Sequence, residues 1–337
     1  MKLYLSYIAI ALSLSACNQD NNSVNDAVQK ALTSGVIKEN MNQSIKPGDD
    51  FFHYVNGAWL DKTEIPADKS SYGGFTILRD EAQENVMSII TSTSEGSFAD
   101  GTDEQKVGDL FSSYMDMETR NKLGIQPIKS ELGKIAAIEN YDDLAVYFAY
   151  ANKYSYGSPF EVSQYVDFKN PSKYMILTWQ GGLGLPDREY YFNDDKANQK
   201  IRADYVAHIA KMFSLAGLEN GATNAAMIMA LETRLAGEHM KKEQTRDMVA
   251  LYNRVERSDL VSMMPTFNWT VFLQEAQLAD LDTLIITQID YMSALDEIIS
   301  STPIADWKIF LNWGLINNTA GQLNAELDRA DFEFYGT

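Results

Sequence analysis

The chain has 337 residues, 45% of them apolar, enough to bury sizeable cores in two domains or in one long helical one. Its 28 basic and 47 acidic residues give a net charge of -19, a field that repels phosphate backbones and argues against nucleic acid as a partner. With a single cysteine there is no internal disulfide, so stability must come from packing.

The first seventeen residues, MKLYLSYIAIALSLSAC, combine basic Lys2, an apolar run from Leu3 to Leu14 and a small-residue exit. That is the layout of a secretory signal, too short to span as a permanent helix. Leu14-Ser15-Ala16-Cys17 resembles a bacterial lipobox, in which the cysteine is lipidated and becomes the mature N-terminus. Cys17 is therefore the expected lipidation site, residues 1–17 the signal peptide, and the cell envelope the expected location. Asn18 after the lipobox, rather than aspartate, favours the outer membrane by analogy. Residues 18–44, rich in Asn, Asp, Gln and Ser, read as a flexible tether.

Helical spacing then dominates. Ile77 to Ser92 carries a line of Leu78, Ala82, Val86 and Ile89, and Val107 to Leu123 repeats the pattern through Leu110, Phe111 and Tyr114. Asp142 to Tyr154, Ile201 to Leu215, Ala225 to Lys241, Trp269 to Ala279, Ile289 to Ile299 and Ile304 to Leu327 follow, so the fold class is mainly α. Pro159 to Val166 and Tyr174 to Trp179 break the period. They are rich in β-branched and aromatic residues and flank the turn composition Lys169-Asn170-Pro171-Ser172, which predicts one β-hairpin inserted in the helical domain.

The stretch KPGDDFFHYVNGAWL, residues 46–60, predicts a short helix capped by Asp49 or Asp50, with Gly57 at a C′ position. Phe51, Val55 and Trp59 recur every four residues and form one apolar stripe that needs a partner surface. The same stretch, followed by Ile65-Pro66, Ser70-Ser71-Tyr72-Gly73-Gly74-Phe75 and Leu78-Arg79-Asp80, resembles the opening of the neprilysin-like (M13) zinc peptidases. Further pieces are similar in family order: Gln180-Gly181-Gly182-Leu183-Gly184-Leu185-Pro186-Asp187-Arg188-Glu189-Tyr190-Tyr191, Glu232-Thr233-Arg234-Leu235-Ala236, Arg246-Asp247, Leu251-Tyr252-Asn253, Trp307 to Trp313 and Phe334-Tyr335-Gly336.

The resemblance implies two lobes, a thermolysin-like catalytic lobe and a helical cap, enclosing a chamber that admits short peptides. Residues 45–337 then correspond to the amino-terminal domain. Within it, 45–75 is the segment anchored on the catalytic lobe through Phe51, Val55 and Trp59, and 76–337 is the cap. Ser71 and Tyr72 are the expected chamber-lining pair, or else residues that only pack. Some family members place an arginine before that tyrosine as a bidentate carboxylate clamp; Ser71 cannot supply the charge, which favours endopeptidase action on oligopeptides over release of C-terminal dipeptides.

Membership in a family does not place its chemistry in this chain. A zinc hydrolase needs three protein ligands and an open position, typically with H-E-x-x-H. The only histidines are His53, His208 and His239, and none stands in that motif. Asn224-Ala225 and Asn324-Ala325 begin the family's peptide-binding Asn-Ala-x-Tyr but lack its tyrosine. No catalytic or metal residue is therefore assigned, with zinc expected only in a complete family enzyme. His239 and Glu243, four apart on an expected helix, are too few for a metal site and read as a solvated face. Gly181, Gly182 and Gly184 read as a tight hairpin exit capped by Asp187, because Pro186 and Asp187 occupy the place of a dinucleotide fingerprint's third glycine.

Two function classes stay open. The first is the amino-terminal, substrate-enclosing portion of a zinc metalloendopeptidase, with oligopeptides, a missing catalytic lobe and the membrane as its partners. The second is a non-catalytic helical surface lipoprotein that binds peptides or glycans.

Overall fold

Capping residues fix where many of the helices begin. The computed structural model describes residues 35–336, so the expected signal peptide, Cys17 and the tether as far as residue 34 lie outside the described residues. Helix α1 (Phe51–Leu60) starts where Asp50 accepts the His53 amide at 2.9 Å, and the same carboxylate lies 2.7 Å from His53 Nδ1. Gly57 does not end the helix, as its expected C′ role required. It lies buried inside α1, and a Cβ there would come within 2.7 Å of Asn42 Cβ. Asn42 in turn donates its amide to the Tyr54 carbonyl at 2.9 Å, and Lys38–Asn40 forms a 3-10 turn, so the last residues of the expected tether are held on α1. Helix α2 (Gly74–Glu95) follows. The described residues divide between Ile89 and Ile90 into two compact units.

In the second unit, the expected single helix from Val107 to Leu123 is two, α3 (Asp103–Met115) and α4 (Met117–Leu123). Asp116 leaves the helical region and its side chain caps α4 on the Thr119 amide, an alternative that aspartate offers the backbone. Then come α5 (Lys129–Ala136) and α6 (Tyr141–Tyr154), the latter capped by Asn140 on the Asp142 and Asp143 amides.

The hairpin is present as β1 (Phe160–Asp167) and β2 (Asn170–Gln180), but its turn is tighter than expected, and Asn170 and Pro171 already belong to β2. It is also not an isolated insertion. After α7 (Glu189–Phe192), α8 (Lys196–Leu215) and α9 (Gly221–Glu238), two short strands, β3 (Arg254–Glu256) and β4 (Thr283–Ile286), complete a four-stranded sheet of order β1-β2-β4-β3. Helices α10 (Arg257–Met263) and α11 (Trp269–Glu275) lie between β3 and β4 in the chain, and β4 runs parallel to β2.

The chain ends in α12 (Ile289–Ser301), α13 (Ile304–Thr319) and α14 (Ala325–Asp331). The expected run from Ile304 to Leu327 breaks at a 3-10 turn over Ala320–Gln322, and Asn324 caps α14 on the Leu327 amide. Helix α13 buries Trp307, Phe310, Leu311, Trp313, Leu315 and Ile316, so apolar residues cover more than one of its faces. A helix of that kind belongs in the middle of a core. Trp307 packs edge-on to Phe148 of α6 and donates its indole N–H to the Ile299 carbonyl, which satisfies its one polar group. Among the described residues, no helix is long and apolar enough to cross a membrane.

Candidate functional site

The loop that leaves β2, Gly181 to Pro186, meets side chains of α7, α8 and α9. Gly181 continues the hairpin ladder by donating to the Pro159 carbonyl. Gly182 has φ +83, and a Cβ there would stand 2.9 Å from Pro159 Cα, so both conformation and space require glycine. At Gly184 a Cβ would overlap the Tyr205 hydroxyl. The loop is thus a tight exit, as expected, and Asp187 accepts the Glu189 amide at the start of α7.

Beneath it lies Glu232 of α9, 1% exposed. Its position four residues after Ile228 and three before Leu235 places it among the buried residues of its helix, which is a legible but unusual place for a carboxylate. Two chains of donors end on it. Trp313 Nε1 donates to the Tyr205 hydroxyl at 2.9 Å, which donates to Glu232 Oε1 at 2.9 Å. The Leu185 amide donates to the Tyr191 hydroxyl, which donates to Oε2 at 2.6 Å, and the Gly184 amide reaches Oε2 at 3.2 Å. Burial raises this carboxyl to about 7, against the opposing hydrogen bonds from Tyr191, Tyr205 and Gly184. One side chain therefore ties the loop to α7, α8, α9 and α13. Glu232, Tyr191 and Trp313 stand in segments that resemble the family, and their spacing alone assigns them no role.

Glu232 and the loop border a cavity of about 400 Å³ that also includes Asn152, Ser158, Glu161, Trp313 and Asn317. Its lining holds two carboxylates and several amides but no lysine, arginine or histidine, so it suits amide, hydroxyl or cationic groups. Asn152 is already committed, donating to the carbonyls of Phe148 and Phe160 and accepting from the Val162 amide.

The three histidines sit in separate settings. His53 is exposed beside Asp50. His208 lies stacked on Phe334, with ring centroids 4.6 Å apart, and burial lowers it to about 4. His239 is not helical, contrary to the expected run to Lys241. It is the C-cap of α9 in extended conformation, its Nε2 lies 3.0 Å from the Gly181 carbonyl, and burial holds it at about 4. The helical pair it was to form with exposed Glu243 is therefore absent. Among the described residues, no group of three or more His, Cys, Asp or Glu side chains could hold a metal ion. These residues do not fit a zinc centre.

Of the other expected residues, Phe51 is 67% exposed, while Val55 and Trp59 are half-buried. Ser71 is exposed, and Tyr72 stacks on Trp59 at 6.3 Å, an intra-unit packing role. Cys17 lies outside the described residues.

Comparison with known proteins gives this arrangement its context. Endothelin-converting enzyme-like 1 of Rattus norvegicus is 26% identical over 296 residues, covering 83% of this chain and 38% of that protein. Membrane metallo-endopeptidase-like 1 of Mus musculus is 28% identical over 337 residues, covering 89% and 43% respectively. The chain thus spans about two fifths of the length of these curated relatives. Among solved structures, the Mycobacterium tuberculosis zinc metalloprotease ZMP1 in complex with an inhibitor superposes with a TM-score of 0.79 at 33% identity, covering 91% of this chain and 47% of that one. PepO from Lactobacillus rhamnosis, at 18% identity and a TM-score of 0.67, shares the fold. Residues 47–337 match the amino-terminal model of Peptidase family M13, and the chain belongs to that family.

Proposed function

We propose that this chain forms the substrate-enclosing, amino-terminal portion of a zinc metalloendopeptidase that acts on oligopeptides. The observation that carries the reading is the match of residues 47–337 to the family's amino-terminal model, together with 33% identity to a zinc metalloprotease across 91% of this chain. In this reading the residues described here shape and filter access to peptides, while the water-activating metal is held by the family's catalytic portion. When bound there, zinc supplies a Lewis acid and a hydroxide at neutral pH. Phe51, Val55 and Trp59 are the anchor for that portion; the 67% exposure of Phe51 supports this, since large exposed apolar groups mark interaction surfaces. Ser71 in place of a guanidinium supports endopeptidase action over release of C-terminal dipeptides. A lipid on Cys17 would tether the protein to the cell envelope, with the outer membrane favoured by Asn18.

The test compares two proteins, this chain from Asn18 to Thr337 and the same chain extended through an M13 catalytic lobe. Metal analysis and a quenched-fluorescence peptide assay are run on both. The extended protein is expected to bind zinc stoichiometrically and cleave peptides until a strong chelator is added, and the shorter one to do neither. Chelator-sensitive cleavage that follows the shorter protein through purification would overturn the division of roles.

A further inference from the structure

Strand β1 forms one edge of the four-stranded sheet. In its ladder with β2, the Gly181 amide on the Pro159 carbonyl sets the alternation, so the main-chain groups of Glu161, Ser163 and Tyr165 bond to β2 and those of Phe160, Val162, Gln164 and Val166 turn outward. The start of this edge is already occupied. Asn152 of α6 takes the place of a strand there, donating to the Phe160 carbonyl and accepting the Val162 amide, each at 3.0 Å. Beyond it, the Val162 C=O, both main-chain groups of Gln164 and the Val166 N–H have no hydrogen-bond partner among the described residues.

Natural edge strands are blunted by charge, by proline or by a covering element, and an edge left open is a template for an added strand. Here Val162-Ser163-Gln164-Tyr165-Val166 carries no charge and no proline, and Ser163 to Val166 are all exposed. A second copy of this chain fits the edge badly. Pairing two β1 strands antiparallel about Gln164 sets Glu161 of each against Asp167 of the other, at a net charge of -19 per chain. A basic extended segment fits it well. Glu161 is exposed, makes no ion pair among the described residues and shares a face of β1 with Ser163. Both residues, with Asn152, border the cavity of about 400 Å³ beside Glu232, so that cavity reaches the edge.

We propose that the outer edge of β1 from Val162 to Val166 binds an extended oligopeptide by strand addition, through main-chain hydrogen bonds to Val162, Gln164 and Val166, with a basic side chain opposite Ser163 reaching Glu161. In an antiparallel docking the residue opposite Gln164 exchanges two bonds with it, and its neighbour, opposite Ser163, points to the face that carries Glu161. Asn152 stops the added strand at Val162. The site does not rest on the peptidase reading, because it needs neither a metal nor a second lobe.

The ladder phase supplies a selective test. The probe is a fluorescein-labelled seven-residue peptide of alternating valine and threonine with one central lysine, followed by anisotropy on the purified chain. Saturable binding is expected, weakened at least tenfold when every peptide amide is N-methylated. Gln164→Pro removes an outward N–H and no bond to β2, since Gln164 faces Ile176 in a non-hydrogen-bonded pair. The folded variant, its melting temperature unchanged, should bind at least tenfold more weakly. Glu161→Gln should weaken the lysine peptide at least threefold and leave a norleucine version unaffected. No saturable binding, or equal binding of the N-methylated peptide, would overturn the proposal without requiring any variant to fold. So would unchanged binding by folded Gln164→Pro, or an equal response of the lysine and norleucine peptides to Glu161→Gln. A concentration-dependent dimer of the free chain, abolished by Gln164→Pro, would give the edge to a second copy and overturn the proposal too.

Discussion

The unit that ends at Ile89 and the unit that follows it treat apolar side chains in opposite ways. In the first, Phe51, Phe52, Phe75, Leu78, Val86 and Ile89 are all exposed, and Phe75 reaches 92%. In the second, the core runs from Ile128 to Ala330 and includes Phe148, Phe160, Tyr205, Phe272 and Trp307 at 0% exposure. Both regions carry the helical apolar spacing that predicts helices. Leu78 and Val86 stand at regular helical spacing, yet both are more than half exposed. Periodicity establishes that a face is apolar. It does not say what covers the face.

The largest expected effect sets the two regions against each other. Trp307→Ala should cost about 3–5 kcal/mol in urea unfolding, because it opens a cavity inside the core and strands the Ile299 carbonyl. Phe51→Ala, made in the same chain, should change stability by no more than about 0.5 kcal/mol. A Phe51 loss comparable to that at Trp307 would break the contrast.

Next comes the buried carboxylate. Glu232→Leu leaves the Tyr191 and Tyr205 hydroxyls and the Gly184 amide without their acceptor and should cost roughly 3 kcal/mol or more. Its pH dependence has a definite sign. The folded-state value is raised, from 4.5 to about 7, so the folded protein holds a proton that the unfolded chain has released. The contribution is complete below about pH 4.5 and is lost as pH rises through about 7. Wild-type stability, measured against Glu232→Gln at each pH, should therefore fall across that window, and a parallel pair of curves would show that the hydrogen bonds outweigh the burial.

Smaller effects test the loop and the caps. Gly184→Ala should destabilise by about 1–3 kcal/mol, since the new methyl group meets the Tyr205 hydroxyl and one of the two must move. Asn140→Ala removes a cap that accepts two amides of α6 and should cost about 1 kcal/mol. Thermal unfolding of both variants, followed by circular dichroism, gives the order.

Much of the fold was legible because helices and hairpins are local. The segments at 142–154, 201–215 and 289–299 lie within observed helices, and Asp50 caps α1 as its spacing suggested. What escaped was set by tertiary contact. Gly57 reads as a helix end until Asn42 is seen against it, and α9 stops at His239, whose ring meets a carbonyl 58 residues earlier. Strand β4 is only four residues long and pairs with β2 from more than a hundred residues away, so no local pattern announced it. At the candidate site, the glycines and tyrosines were visible as a motif. Their dependence on Glu232 was not, although a glutamate among the buried residues of α9 was a signal that could have been followed.

The central claim is that the first unit is built to be covered by a catalytic portion, and the cost of Trp59→Ala measured in two settings tests it most directly. Trp59 is half-buried here and stacks on Tyr72, so in this chain the substitution should cost much less than full burial implies. In a protein extended through the M13 catalytic lobe, the same change should cost about 3–5 kcal/mol. Equal losses in the two proteins would contradict the account, because they would mean that Trp59 draws its stabilisation from this chain alone.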